Sequence, residues 1–168
     1  TSPIGTDTWV VGDTNRTITW TKKGSNIAAV KIQYSPNDDF TNNATDIFTT
    51  TPNDGTEGWA SIPNGAMNGS NLKVRVKAID GNSLLATEAK SAQFNVIGQL
   101  TMDDPDDSVG VNWRINATNT IAWTNTHGAI QDVKIYYSAN SGTDWTIIRN
   151  AGGNINSVPS GAEGAHTY

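Results

Sequence analysis

Ile18-Thr19-Trp20, followed by Val30-Lys31-Ile32-Gln33-Tyr34-Ser35, decides how this chain folds, because the stretch occurs twice. It returns as Ile121-Ala122-Trp123 and Val133-Lys134-Ile135-Tyr136-Tyr137-Ser138, with the same 14 residues from tryptophan to tyrosine and a repeat distance of 103. That distance is the size of one small domain, so the chain is a tandem array of a single module. Within each copy apolar and polar residues alternate. Side chains of an extended strand point to opposite faces in turn, so Ile18, Trp20, Val30, Ile32 and Tyr34 turn inward and Lys31 and Gln33 turn outward.

The remaining strands read outward from this pair. Thr8 to Val11 precedes it as a short strand, and Gly12-Asp13-Thr14-Asn15 is a turn. A polar loop from Ser35 to Asn43 leads to Asp46 to Thr51, a threonine-rich edge strand. Pro52-Asn53-Asp54-Gly55 is a turn signal, and Gly58 to Ile62 is a strand that presents Trp59. Leu72, Val74, Val76 and Ala78 alternate with Lys73, Arg75 and Lys77. Asp80-Gly81-Asn82 then turns the chain into a last strand, Glu88 to Val96. Seven short strands and no helix point to an immunoglobulin-like β-sandwich over residues 1–98. Residues 99–168 form the second unit, with Asp103-Asp104-Pro105 opening it as Thr1-Ser2-Pro3 opens the first. Trp113 matches Trp9, Trp145 matches Phe40, and Val158-Pro159 matches Ile62-Pro63. The expected architecture is all-β, two tandem seven-stranded immunoglobulin/fibronectin-III-like sandwiches, the second lacking its last strands.

That shortfall has a size. Three large aliphatic side chains on a missing strand represent roughly 5–9 kcal/mol of burial, against a typical domain stability of about 5–15 kcal/mol. The expectation is that the natural polypeptide continues beyond Tyr168, or that a neighbouring chain inserts the missing strands.

Composition narrows the function. The chain has 168 residues, 16% of them charged, with a formal net charge of −5. Its basic residues are scattered, which argues against a phosphate-tracking surface and so against nucleic acid as a partner. Apolar runs fall far short of the roughly 20 residues that cross a bilayer, so no membrane span is expected. The absence of cysteine excludes disulfides, thiolate metal sites and cysteine nucleophiles.

Written as a pattern, the first unit gives Pro3-x5-Trp9-x2-Gly12-x5-Ile18-x-Trp20, Val30-x-Ile32-x-Tyr34-Ser35, Trp59-x2-Ile62-Pro63 and Val74-Arg75-Val76-x2-Ile79-Asp80. This resembles the immunoglobulin-like repeats of large bacterial and archaeal surface proteins and, more distantly, modules of yeast cell-wall assembly proteins. In the second unit Ser141-Gly142-Thr143-Asp144-Trp145 fits the G-x-x-W element of those repeats, where the first has Asp38-Asp39-Phe40. The resemblance implies an extracellular or cell-surface location and a structural role in a surface layer, adhesin stalk or filament. Partners would be further repeats or identical neighbouring chains, with cell-wall glycan as another candidate. An accessory carbohydrate-binding module of a secreted enzyme is the alternative.

Candidate sites are few. No catalytic residue is assigned: His127 and His166 are the only histidines, and H-E-x-x-H, G-x-S-x-G and G-x4-G-K-[ST] are absent. No cofactor is required. Asp103, Asp104, Asp106 and Asp107 cluster at the junction of the units, where calcium, with its six to eight oxygen ligands, could stiffen the joint; a solvated acidic linker is the plainer reading. Asn15, Asn43, Asn68 and Asn116 head Asn-x-Ser/Thr sequons in expected turns. Of the six tryptophans, Trp20 and Trp123 belong to the core face. Trp59 and Trp145 are the candidates for a platform that stacks on sugar rings.

Overall fold

The computed structural model describes residues 2–22, 26–67, 71–80, 83–106, 111–114, 117–130, 132–148, 158–159 and 163–167. The fold is all-β and sandwich-like, without a closed barrel. It divides into two compact units, Thr1–Gly98 and Gln99–Tyr168.

The first unit is built on β3 (Ala29–Ser35), whose alternation the sequence displays most clearly. It lies between β4 (Thr45–Pro52) and β6 (Lys73–Asp80), and β7 (Ser83–Lys90) completes an antiparallel sheet of order β4-β3-β6-β7. Against it stand β2 (Thr14–Thr19) paired with β5 (Thr56–Ser61), and β1 (Thr8–Val10) paired in parallel with β8 (Asn95–Ile97). One core joins these layers: Ile18 and Trp20 meet Val30, Ile32 and Tyr34, with Trp9, Trp59, Leu72, Val74, Phe94 and Val96 filling the space between.

Two local departures have clear causes. The expected strand Glu88 to Val96 is broken after Lys90: the Ser91 amide still donates to the Val74 carbonyl at 2.8 Å, but it is the Ser91 Oγ that accepts the Val74 amide, at 3.0 Å. The chain then crosses to β1, so the described residues of the unit form eight strands where seven are expected. A single 3-10 turn, Asn64–Ala66, interrupts an otherwise helix-free reading and buries Ala66. The Pro52 to Gly55 turn behaves as its residues dictate. Gly55 adopts φ +100°, and a Cβ there would stand 3.3 Å from the Trp20 carbonyl oxygen, a conformation and approach that suit only glycine.

The second unit repeats the frame of the first. β10 (Thr120–His127) carries Ile121 and Trp123 into a core with Ile135, flanked by Val133 and Ile148. β9 (Gln99–Asp104) pairs with β10 so that Asp104 stands opposite Ala122, which reproduces the bridge from Ser2 to Thr19 in the first unit. Both Ser2-Pro3 and Asp104-Pro105 are cis.

The units diverge beyond this point. The central strand is reduced to β11 (Asp132–Val133) and β12 (Tyr136–Tyr137), each with one short partner. β12 pairs with β13 (Thr146–Ile147), and β11 with β14 (Val158–Pro159). The expected match of Val158-Pro159 to Ile62-Pro63 is therefore not kept in the pairing. Ile62 continues the flank of β2 by bonding to Asp13, whereas β15 (Glu163–Thr167) takes that flank of β10. Among the described residues, the second unit has no strand equivalent to β6 beside β12.

Trp20 and Asn53 tie the two layers of the first unit together. The indole Nε1 donates to Asn53 Oδ1 at 2.8 Å, while Asn53 Nδ2 donates to the Ile27 carbonyl at 3.0 Å. Both residues are buried, so removing the amide leaves a donor and an acceptor without partners. Asn53→Ala is expected to lower the free energy of urea unfolding by about 1–3 kcal/mol, and Asn42→Ala in an exposed loop by no more than about 0.5 kcal/mol. Equal losses for the two variants would contradict this role for Asn53.

Candidate functional site

The most informative pair of positions is Phe40 and Trp145, because the loops that carry them are built alike. In the first unit Ser35 Oγ donates to Asn37 Oδ1 at 3.0 Å, and Asp38 takes φ +62°. In the second, Ser138 Oγ donates to Asn140 Oδ1 at 3.0 Å, and Ser141 takes φ +55°. A short polar side chain folding back on its own loop fixes both turns and tolerates the left-handed residue. The second loop is longer by Gly142 and Thr143, and it is held by Asp144 N to Asn140 Oδ1 at 2.8 Å and Asn140 Nδ2 to Asp144 Oδ2 at 2.7 Å.

What covers the ring differs. Phe40 is buried beneath the Arg75 guanidinium, 4.5 Å from the ring centroid, with Lys90 Nζ at 5.0 Å. Arg75 also donates to Gln33 Oε1 and to the Phe40 carbonyl, and lies 3.5 Å from Glu88. Gln33 and Arg75 belong to the outward face, yet both are buried, because they cover one another and the ring. In the second unit no such cover exists among the described residues, and Trp145 is 62% exposed.

Two other aromatic pairs follow the same rule. Tyr34 is buried against Trp59 at 5.2 Å, whereas Tyr137 is 52% exposed. Trp9 is buried against Phe94 at 4.9 Å and Trp59 at 6.3 Å, whereas Trp113 is 43% exposed. Each partner in the first unit comes from β5, β6, the end of β7 or the approach to β8. Sequence matching therefore located these rings in the frame and anticipated an exposed Trp145, but not the exposure of Tyr137 and Trp113, which depends on strands far away in the chain.

The register of β12 with β13 sets Tyr136 opposite Ile147 and Tyr137 opposite Thr146. Alternation then carries Trp145 to the face of Tyr136 and Ile147, while Ile135 and Ile148 face the core. Tyr136 is 47% exposed. The second unit thus presents Tyr136 and Trp145 on its outer face, anchored by a rigid loop.

The other candidates fare differently. Trp59 is in the core of the first unit at 5% exposure, so it cannot serve as an exposed sugar platform; its ring is needed between Trp9 and Tyr34. Asp103 accepts the Thr124 hydroxyl at 2.7 Å, and it is the extra residue where the pairing of β9 with β10 shifts register between Met102 and Asp104. Among the described residues no group of three or more carboxylate or histidine side chains is placed to hold a metal ion, so Asp103, Asp104 and Asp106 are not gathered as calcium ligands. Asp107 lies outside the described residues. Asn15 is exposed but lies within β2, with φ +57°, and not in the expected turn; Asn43 is exposed in the loop before β4, and Asn68 and Asn116 lie outside the described residues. His127 is exposed at the end of β10, opposite Gln99, and the backbone of His166 pairs with Ile121.

A cleft of about 350 Å³ opens between Trp20, Ile27 and Val30 on one side and Val76, Ala78 and Ala89 on the other. Its one buried amide, Asn53, is already committed to Trp20 and Ile27.

Comparison with models of known protein families and with curated proteins gave no match.

The cover over Phe40 is tied to pH through Asp38. Hydrogen bonding from Lys73 at 2.7 Å holds its carboxyl below the ordinary value of 3.8, partial burial opposes this, and Lys90 at 3.3 Å adds to the lowering. Hydrogen bonds from the Asn42 side chain and from the Thr41 and Asn42 amides lower Asp39 likewise. A folded-state pKa below the unfolded one stabilises fully above the unfolded value and loses that contribution as pH falls through the folded one. Asp38→Asn is therefore expected to lower the urea midpoint slightly at neutral pH, with the gap to wild type closing below pH 3.8. The effect is small because the group is exposed. A gap that widens in acid would overturn this assignment.

Proposed function

We propose that this chain is a structural repeat segment of a large extracellular or cell-surface protein, a surface layer, adhesin stalk or filament, acting as spacer and assembly unit. One observation supports the reading: the same β-frame, Ile-x-Trp on one strand over the Val-x-Ile central strand, is built in both units. A module whose repeated Ile-x-Trp and central isoleucine build the core in both copies has its function in how copies connect.

The first unit has the features of a spacer. Its sheet is bounded by β4 and β7, and the pairing of both is interrupted by register shifts. Asp46 on β4 pairs with Lys31 at 2.9 Å. Bulges and charges on edge strands oppose indiscriminate sheet extension. Assembly contacts are accordingly assigned to the second unit, where Trp113, Tyr136, Tyr137 and Trp145 are exposed. Asn15 and Asn43, both exposed, suit a surface protein that carries glycans.

The second reading, an accessory carbohydrate-binding module, is supported by Trp145 and Tyr136 exposed on one face, since aromatic faces stack on sugar rings. Burial of Trp59 removes the other half of its original support.

An antibody against residues 1–98 is expected to label intact source cells, and surface cross-linking is expected to trap the parent protein in ladders of self-adducts. Label confined to lysed cells, or binding to a soluble glycan with no self-adducts, would contradict the assembly role.

A further inference from the structure

We infer that the outward face of the β4-β3-β6-β7 sheet is a docking surface for the acidic second unit of another copy of this chain, the two copies meeting head to tail and held by charge. The inference deepens the assembly reading and rests on it for its biological meaning, although the contact is a property of the purified chain.

Alternation builds the face. With Val74 and Val76 in the core, Lys73, Arg75 and Lys77 of β6 turn outward. Lys31 of β3 and Lys90 of β7 join them across the sheet, opposite Lys77 and Arg75. Five of the chain's eleven basic residues thus stand on one face. Three carboxylates answer them: Asp46 pairs with Lys31 at 2.9 Å, Asp38 with Lys73 at 2.7 Å and Lys90 at 3.3 Å, and Glu88 with Arg75 at 3.5 Å and Lys77 at 3.6 Å. Five cations against three anions leave a charge of +2 in a chain whose total is −5, so the rest of it carries −7. Like charges placed directly opposite cost stability, and the sheet has two such pairs, Lys31 with Lys77 and Arg75 with Lys90. Negative charge brought from outside offsets that cost. Arg75 is buried, but Lys31, Lys73 and Lys77 are half-buried and Lys90 is exposed, so four ammonium groups stay within reach of a partner.

Charge also names the occupant. Residues 99–168 hold seven Asp and Glu against three Lys and Arg, and Asp103, Asp106, Asp132 and Asp144 are exposed there. Register shifts interrupt the pairing of both edge strands of the first unit, β4 and β7, which opposes in-line extension of the sheet and leaves its face for the contact. A cationic face on one unit and an acidic surface on the other are different patches of the same chain, so the contact is heterologous, and copies related in this way run on into a ring or a filament. Complementary charge favours this encounter and disfavours face against face or acid against acid. Exposed ion pairs are individually weak, so the contact depends on several charges together and is screened by salt.

The test is analytical ultracentrifugation of the purified 168-residue chain. In about 20 mM salt the weight-average sedimentation coefficient is expected to rise with protein concentration, and in about 1 M salt, where the Debye length falls to about 3 Å, to return to the monomer value. Lys31→Glu with Lys77→Glu, and separately Asp103→Lys with Asp132→Lys, are each expected to weaken self-association at least about ten-fold while the circular dichroism spectrum stays as in wild type. An equimolar mixture of the two variants is expected to restore it, since each then supplies the surface that the other lacks. Should the paired charge reversal on the sheet disturb the fold, Lys31→Gln with Lys77→Gln takes its place with the same direction of effect. Association that persists at high salt, undiminished association of either variant, a mixture that restores nothing, or a monomer at every concentration in low salt would each overturn the inference. Saturable binding of poly-glutamate without self-association would overturn it in favour of a foreign acidic partner. Failure of the cell-surface labelling with a positive sedimentation result would leave the contact standing and remove the extracellular role. Surface ladders from a chain that is monomeric in low salt would keep the assembly role and assign it to other residues.

Discussion

The antiparallel pairing of β3 with β6 is the constraint on which the first unit depends. It runs unbroken from Ala29 opposite Ile79 to Ser35 opposite Lys73, and it serves both faces of the sheet. On the inner face Val30, Ile32 and Tyr34 meet Val74 and Val76 beneath Trp59 and Ile18. On the outer face Arg75 reaches Gln33, Phe40 and Glu88, and Lys73 and Lys90 share Asp38. Residues as polar as Gln33 and Arg75 are buried there because each satisfies the other. The second unit, built from the same frame but without this pairing among its described residues, leaves Tyr137 and Trp145 in solvent.

Much of this was legible in the sequence because it is written in local alternation. Val30, Ile32 and Tyr34, and Val74, Val76 and Ala78, show their inward faces directly, and Pro52 to Gly55 announces its turn. The break near Ser91 was not visible, since leaving one sheet for another is decided by the competition between β6 and β1 for the same strand. Trp59 was misread as a candidate platform for a similar reason. Nothing near Trp59 distinguishes a ring that faces Trp9 and Tyr34 from one that faces water.

The exposures of Trp113 and Tyr137 were the hardest to foresee, although the loss of the last strands in the second unit was expected and Trp145 stood out in the sequence as a candidate exposed ring. The consequence for each ring needs the register that places Val74 by Tyr34 and Arg75 over Phe40. Likewise, the pairing of Val158 with Val133 rather than with the flank of β10 follows from which edges are open. The Asp103 to Asp106 run is dense in charge along the sequence, and among the described residues no three carboxylate or histidine side chains are brought together there.

Amide hydrogen exchange over the two equivalent central strands tests the central claim most directly. Native-state exchange reports local opening free energy. If the β6 pairing is what distinguishes the units, amides of Ala29 to Ser35 exchange at least about a hundred-fold more slowly than those of Val133 to Ser138, a gap of about 2.7 kcal/mol. Equal protection of the two stretches would show that the second unit closes its core by other means, and would contradict the account.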